Sequence, residues 1–251
     1  MSRLNLGVTE IKEFFIKKLA LSSTLGLDEY LLELPVVKAL ARGATIDFQQ
    51  SVTFLVGENG TGKSTLMEAL AIALGFNEEG GSKNFRFSAA ATVSNLSDQL
   101  VVSKFILPDD GFFLRAESFY NLATKVDELG VSGYGNRSLH NQSHGESFLT
   151  LVEERFRGNG LYLLDEPEAA LSPMRILSLM VQLDRLVKAK SQVIIATHSP
   201  ILMTYPGATI YSLDYDGIKK VNYQETEHFK LTKEFLNEPS RMLHYLLDDP
   251  E

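Results

Sequence analysis

Four short segments carry residue types and spacings that could do chemistry. Gly57 to Ser64 reads GENGTGKS and fits G-x-x-x-x-G-K-[ST]. Gly57, Gly60 and Gly62 allow the backbone to turn its N–H groups inward around phosphate oxygens. Lys63 supplies a cation for the β- and γ-phosphates and Ser64 a hydroxyl for Mg²⁺, while the helix that follows adds the positive end of its dipole. Asn59, Thr61 and Thr65 complete the expected phosphate-contacting stretch. The second segment, LYLLDEPE from Leu161 to Glu168, ends an apolar run in acids. Beside a phosphate loop, Asp165 is placed to help hold Mg²⁺. Glu166, one residue on, is placed to accept a proton from an attacking water. The third is His198 in VIIATHSP, whose imidazole could reach a γ-phosphate and orient water.

The fourth segment, Leu139 to Ser147, reads LHNQSHGES and admits three readings. His140 and His144 with Glu146 suggest metal ligands, but no third good ligand or supporting shell is evident. Ser143 and Glu146 fit S-x-x-E ahead of an apolar helical run, the pattern of a capping box. Gly145 at that capped start also lets a backbone approach an anion closely. Capping and anion binding are compatible. Because Lys63 already marks one phosphate site, a second such site wants its phosphate from elsewhere.

The elements that must position these residues follow from periodicity and punctuation. VTFLV (52–56), LYLL (161–164) and QVIIA (192–196) are short apolar runs of the kind buried on both faces of a parallel sheet. LMEALAIALG reads as a helix closed by Gly75, and MRILSLMVQLDRLVKAK is amphipathic at helical spacing. LVVSKFIL and FFLRAESF read as two strands joined by a turn at PDDG. YNLATKVDEL reads as helical, as does the run after Ser143, and the tail from Leu231 breaks near Pro239. ATIYSLDYDGIKKVNY looks like a hairpin. Strands alternating with helices imply an α/β fold with a mainly parallel sheet covered by helices. The whole chain, 1–251, is expected as one domain, with 80–138 an inserted arm that interrupts the rhythm.

Composition narrows the classes. The 251 residues include no cysteine, which excludes disulfides, thiolate zinc sites and cysteine nucleophiles. A net charge of −8 argues against a broadly basic surface coated in nucleic acid. No apolar run approaches the length of a bilayer span. Glu10, Lys12, Glu13, Lys17 and Lys18 break up the N-terminal region, so no signal peptide is expected and the location expected is cytoplasmic. The absence of an Asn-Lys-x-Asp motif argues against a GTPase.

Taken in order, the motifs resemble the ATP-binding-cassette class of ATPases. GENGTGKST stands as Walker A, SHGES as a variant signature, LYLLDEP as Walker B, EAALSP as the D-loop and THS as the switch histidine. Within the class the chain looks most like small soluble ATPases labelled AAA family, akin to the heads of chromosome-maintenance and recombination-repair ATPases. The resemblance implies a P-loop NTPase fold, and ATP and Mg²⁺ as cofactors. It also implies ATP hydrolysis coupled to head-to-tail dimerisation of two identical chains. Each ATP would lie on Lys63 and Ser64 of one copy and be closed over by Ser143 and Gly145 of the other. Glu166 would be the general base, His198 the γ-phosphate switch and Ser172 part of the subunit-crossing loop. An ATP-gated clamp on nucleic acid or a partner protein is the alternative, with Lys83, Arg86 and Lys104 as a candidate basic patch; a transporter's ATP-binding subunit ranks below it. Gln99 is a candidate for the family's Q-loop glutamine, and Tyr30 and Phe48 for an adenine-stacking aromatic. For Arg115, a site-facing role and a surface pairing with Glu117 stand side by side.

Overall fold

The computed structural model describes residues 14–77, 80–81, 94–119 and 144–247. In chain order the elements are β1 (Ile16–Leu21), α1 (Glu29–Glu33), α2 (Pro35–Ala41), β2 (Ile46–Asp47), β3 (Val52–Val56) and α3 (Lys63–Ala73). Then come β4 (Leu100–Lys104), β5 (Asp110–Arg115), α4 (His144–Arg155), β6 (Gly160–Asp165), α5 (Pro173–Lys188) and β7 (Gln192–Ala196). The chain closes with β8 (Thr209–Asp214), β9 (Gly217–Val221), α6 (Glu227–Asn237) and α7 (Pro239–Leu247).

The described strands form two sheets. The larger has the order β5-β6-β7-β3-β8-β9, parallel throughout except for the β8–β9 hairpin. Its central strands are buried on both faces, which is why they read as unbroken apolar runs. The two-residue period of a strand then divides each run between two cores. Phe54, Phe112, Tyr162, Leu164, Val193 and Ile195 face one core, which packs against α4 and α5. Leu55, Phe113, Leu161, Leu163 and Ile194 face the other, under α2 and α3. Each such side chain, fully buried, contributes about 2 kcal/mol. On α5, Ile176, Leu179, Leu183 and Leu186 point inward at helical spacing. α3 is closed as expected at Gly75, whose φ of +84° lets Phe76 N–H return to Ala71 O.

The smaller sheet, β2-β1-β4, is antiparallel. Its β4 forms one member of the strand pair expected around PDDG, and β5 forms the other, but the two do not pair with each other. β4 alternates half-buried with exposed residues, which suits an outer layer. β5 is apolar on both faces, so it joins the interior sheet beside β6. Within the stretch expected as an arm, 80–138, β4 lies in the smaller sheet and β5 in the larger. The expected helix at YNLATKVDEL lies outside the described residues. β1, β2, α1 and α2 carry no motif, and periodicity alone left them unassigned.

This topology lines up the chemistry. Arg115 lies beside Asp165, and Asp165 beside Ala196, in the strand registers. Leu55 also pairs with Ala196, so β3 ends alongside them. The phosphate loop, the acids and His198 thus leave the sheet along one edge, at the carboxyl ends of parallel strands, where open α/β sheets bind their ligands.

Candidate functional site

The phosphate loop is shaped by positions that only glycine fills. Gly57 has a φ of +152°, and a Cβ there would sit 2.1 Å from the carbonyl oxygen of Leu213. Gly62, with a φ of +94°, precedes α3 and would drive a Cβ to 2.6 Å from Val36. Val36 belongs to α2 and donates its N–H to Thr61 O, so α2 braces the loop from outside. Lys63 opens α3, is 4% exposed, and curls back to donate to the carbonyls of Gly57 (2.8 Å) and Glu58 (3.0 Å). Burial pulls its ammonium below the usual lysine range, while Glu166, Asp165 and Glu58 pull it back up.

Ser64 Oγ donates to Asp165 Oδ1 at 3.1 Å. Asp165 is 2% exposed. Burial pushes its carboxyl up to about 6, against Arg115, Ser64 and Lys63, which favour the anion. Two hard oxygen donors side by side, one of them a carboxylate that ionises reluctantly without a cation, fit Mg²⁺, which takes a few protein oxygens and completes its shell with phosphate and water. Among the described residues no group of three His, Cys, Asp or Glu stands together as an all-protein metal site.

The raised carboxyl has a testable consequence for stability. The folded chain keeps the Asp165 proton up to about pH 6, while an unfolded aspartate releases it near the ordinary aspartate value of 3.8. Stability therefore falls as pH rises through that window, by about 3 kcal/mol in the absence of nucleotide and divalent cation. Asp165→Asn removes this slope. Urea denaturation in chelator is expected to find the variant more stable than wild type by up to that amount at pH 7.5 and level with it at pH 4.

Glu166 adopts a left-handed conformation, φ 49° and ψ 50°, unusual for a side chain with a Cβ and of a kind that gathers at active sites. The kink follows β6 directly. Glu166 N–H extends the ladder to Ala196 O, and Pro167 then starts a 3₁₀ turn. The Glu166 carboxylate stands 3.4 Å from His198 Nε2. That nitrogen is buried and makes no hydrogen bond among the described residues. Glu168, its carboxyl raised by burial, accepts the backbone N–H of His198 and fixes the end of β7. The other ring nitrogen of His198, Nδ1, lies 2.8 Å from Nε2 of His228 on α6. The motifs give no sign of His228, since it lies 30 residues downstream on a separate helix.

Residues 36–112 match a family model described as "AAA domain", and residues 95–204 match one described as "AAA domain, putative AbiEii toxin, Type IV TA system". Among curated proteins, the nucleoside import ATP-binding protein NupA of Lactococcus lactis subsp. cremoris (strain MG1363) is 28% identical over 166 residues, 57% of this chain and 32% of that protein. The ribose import ATP-binding protein RbsA of Clostridium perfringens (strain SM101 / Type A) is 24% identical over 186 residues, 65% of this chain and 37% of that protein. The chain thus spans about a third of the length of these curated relatives. Similar solved structures include cbiO1 from Clostridium perfringens, part of the ABC transporter complex cbiONQ (16% identity, TM-score 0.46, 81% of this chain and 90% of that one). They also include the SMC head domain from Thermotoga maritima (16% identity, TM-score 0.45, 82% of this chain and 98% of that one). The matched regions take in Walker A, the Asp165–Glu166 pair and His198. The chain is a P-loop ATPase, similar in sequence to ATP-binding proteins of the ATP-binding-cassette class.

In this ATPase, Arg115 faces the site. It lies 3.4 Å from Asp165, 3.2 Å from Glu68 and 3.0 Å from Glu117, so the contact with Glu117 is one of three. A cavity of about 610 Å³ opens between Ser64, Arg115, Glu117, Asp165, Glu166 and Ala170. Gln99 is elsewhere. It ends a 3₁₀ turn before β4 in the outer sheet, and its amide bonds Ser22 and the carbonyl of Leu25. Phe48 is core, and Tyr30 is exposed on α1.

Ser143, Lys83 and Arg86 lie outside the described residues, while Lys104 donates to the carbonyl of Ala73. Gly145 sits in the first turn of α4, where a Cβ would meet Ala170 O at 2.9 Å and Arg175 at 2.6 Å. Arg175 also pairs with Glu146 at 2.9 Å. Ser172 precedes α5 and is exposed, with no side-chain cap bond. No helix among the described residues is long and apolar enough to cross a membrane.

Proposed function

We propose that this ATPase works as an ATP-closed, head-to-tail pair of identical chains, each copy completing the other's catalytic site. The observation that carries the reading is the convergence of Lys63, Asp165, Glu166 and the unbonded Nε2 of His198 on one edge of the sheet. The first turn of α4 packs on Ala170 and Arg175. One chain carries one phosphate loop and one glycine-bearing helix start, and a two-fold pair would match them twice over.

The residues take the following roles. Backbone N–H groups from Gly57 to Thr65, Asn59, Gly60, Thr61 and Gly62 among them, cradle the phosphates with the dipole of α3 behind them. Lys63 exchanges its two loop carbonyls for the β- and γ-phosphate oxygens. Ser64 and Asp165 hold Mg²⁺, which when bound offsets phosphate charge as it builds up. Glu166 takes a proton from the water that attacks the γ-phosphorus, and its left-handed turn aims it past the end of β6. His198 donates from Nε2 to a γ-phosphate oxygen and orients that water. Ser143 and Gly145 of the second copy cover the γ-phosphate from the opposite side, with Ser172 near the crossing.

Mixing two inactive variants tests the crossed arrangement. Lys63→Ala removes one half of each site and Ser143→Arg the other, so each homodimer is inert. An equimolar mixture restores one complete site in half of the dimers, for roughly a quarter of the wild-type rate. A mixture as inert as its components contradicts the exchange of Ser143 and Gly145 between chains.

A further inference from the structure

The contact between His198 and His228 has no place in the roles assigned so far, and its chemistry is specific. Nδ1 of His198 and Nε2 of His228 are 2.8 Å apart, with the rings edge to face at 62°. At that distance one nitrogen must carry a proton and the other must not. Burial lowers both imidazoles below the usual histidine range, with Lys63 pulling the same way; Glu58 opposes at both, Glu166 at His198 and Glu227 at His228. The two rings therefore share a single proton at the contact, and its position decides the state of Nε2 on His198.

We propose that His228 is a positioning residue for ATP hydrolysis: it donates from Nε2 to Nδ1 of His198 and thereby keeps the His198 proton on Nε2, facing the phosphate. The inference rests on the reading of His198 as the γ-phosphate contact. Two carboxylates select this arrangement over its mirror. Glu58 Oε1 lies 3.9 Å from His228 Nε2, and Glu166 Oε1 lies 3.4 Å from His198 Nε2. Each carboxylate favours an N–H over a lone pair at the nitrogen it faces. In the mirror arrangement, His198 presents a bare nitrogen both to Glu166 and to the phosphate oxygens, where it can only repel. The tautomer needed for phosphate contact is thus set by a group that never touches ATP.

The position of His228 is itself fixed. It lies in the first turn of α6, behind Thr226, whose Oγ1 accepts Phe229 N–H and donates to Tyr223 O. Thr226 is buried, and the preceding turn is closed by a capping box between Asn222 and Glu225. Such outer contacts to an imidazole fix its tautomer and orientation. They also tie the site to α6, a helix that otherwise buries none of its residues.

The experiment compares His228→Phe, which keeps a ring without a donor, with His228→Gln, which returns an N–H. Nitrogen-15 spectra of histidine-labelled, nucleotide-free protein read the His198 tautomer directly, and steady-state kinetics read kcat and KM. The wild type is expected to hold the proton of His198 on Nε2. In His228→Phe that preference is lost and kcat falls by roughly tenfold or more, with KM for ATP within about threefold; His228→Gln recovers most of both. An unchanged His198 tautomer in His228→Phe overturns the proposal whatever the rate. A shifted tautomer with an unchanged rate overturns it too, and does so by removing His198 from hydrolysis rather than His228 from His198.

Discussion

Glu166→Gln is expected to lower kcat for ATP hydrolysis roughly a thousandfold while ATP affinity stays within a few-fold of wild type. The large effect follows from the loss of the carboxylate proposed to take the proton of the attacking water. The small effect follows from the contacts. Glu166 faces His198 Nε2 at 3.4 Å and is half exposed, and it bonds nothing in the phosphate loop. Gln keeps the shape and tolerates the same left-handed backbone. It also removes a negative charge from a site that must accept phosphates, which favours binding. Single-turnover hydrolysis and equilibrium binding of labelled ATP separate the two effects. A variant that loses binding and turnover together would place Glu166 in nucleotide contact instead of proton transfer.

Lys63→Ala is expected to do the opposite and weaken ATP binding roughly a hundredfold, in line with the loss of charge-assisted hydrogen bonds of about 3 kcal/mol. The ammonium is buried, held by the carbonyls of Gly57 and Glu58, and surrounded by Glu166, Asp165 and Glu58. Alanine removes the ammonium that stands among those carboxylates and would face the β- and γ-phosphates. Lys63→Arg is no substitute, because a planar guanidinium does not fit a pocket shaped around one ammonium and closed by Gly57 and Gly62. Calorimetric titration with a slowly hydrolysed ATP analogue measures the loss. Affinity within threefold of wild type would show that the backbone N–H groups alone hold the phosphates.

The parts of this site that were legible in the sequence are those in which local chemistry dictates local shape. GENGTGKS demands a loop of inward N–H groups whatever surrounds it, and the runs VTFLV, LYLL and QVIIA could only be strands buried on two faces. Their order then put Lys63, Asp165 and His198 at strand ends. The turn signal at PDDG says where the chain bends between two strands and not which sheet each strand joins. The different burial of Leu100–Lys104 and Gly111–Leu114 decided that. The approach of Arg115 to Asp165 depends on the register of β5 against β6, which no single strand encodes. His228 was hidden for a similar reason: a histidine in the first turn of an amphipathic helix has no local signature, and its role comes entirely from the ring it meets.

The central claim is that ATP closes two copies of this chain around shared sites. The most direct measurement is the solution mass of Glu166→Gln by light scattering, with Mg²⁺ present, before and after ATP is added. The account predicts a monomer or a weak dimer without ATP. With ATP it predicts a stable dimer, because binding survives while hydrolysis stalls. A protein that binds ATP at every concentration tested and keeps the same mass throughout would contradict it.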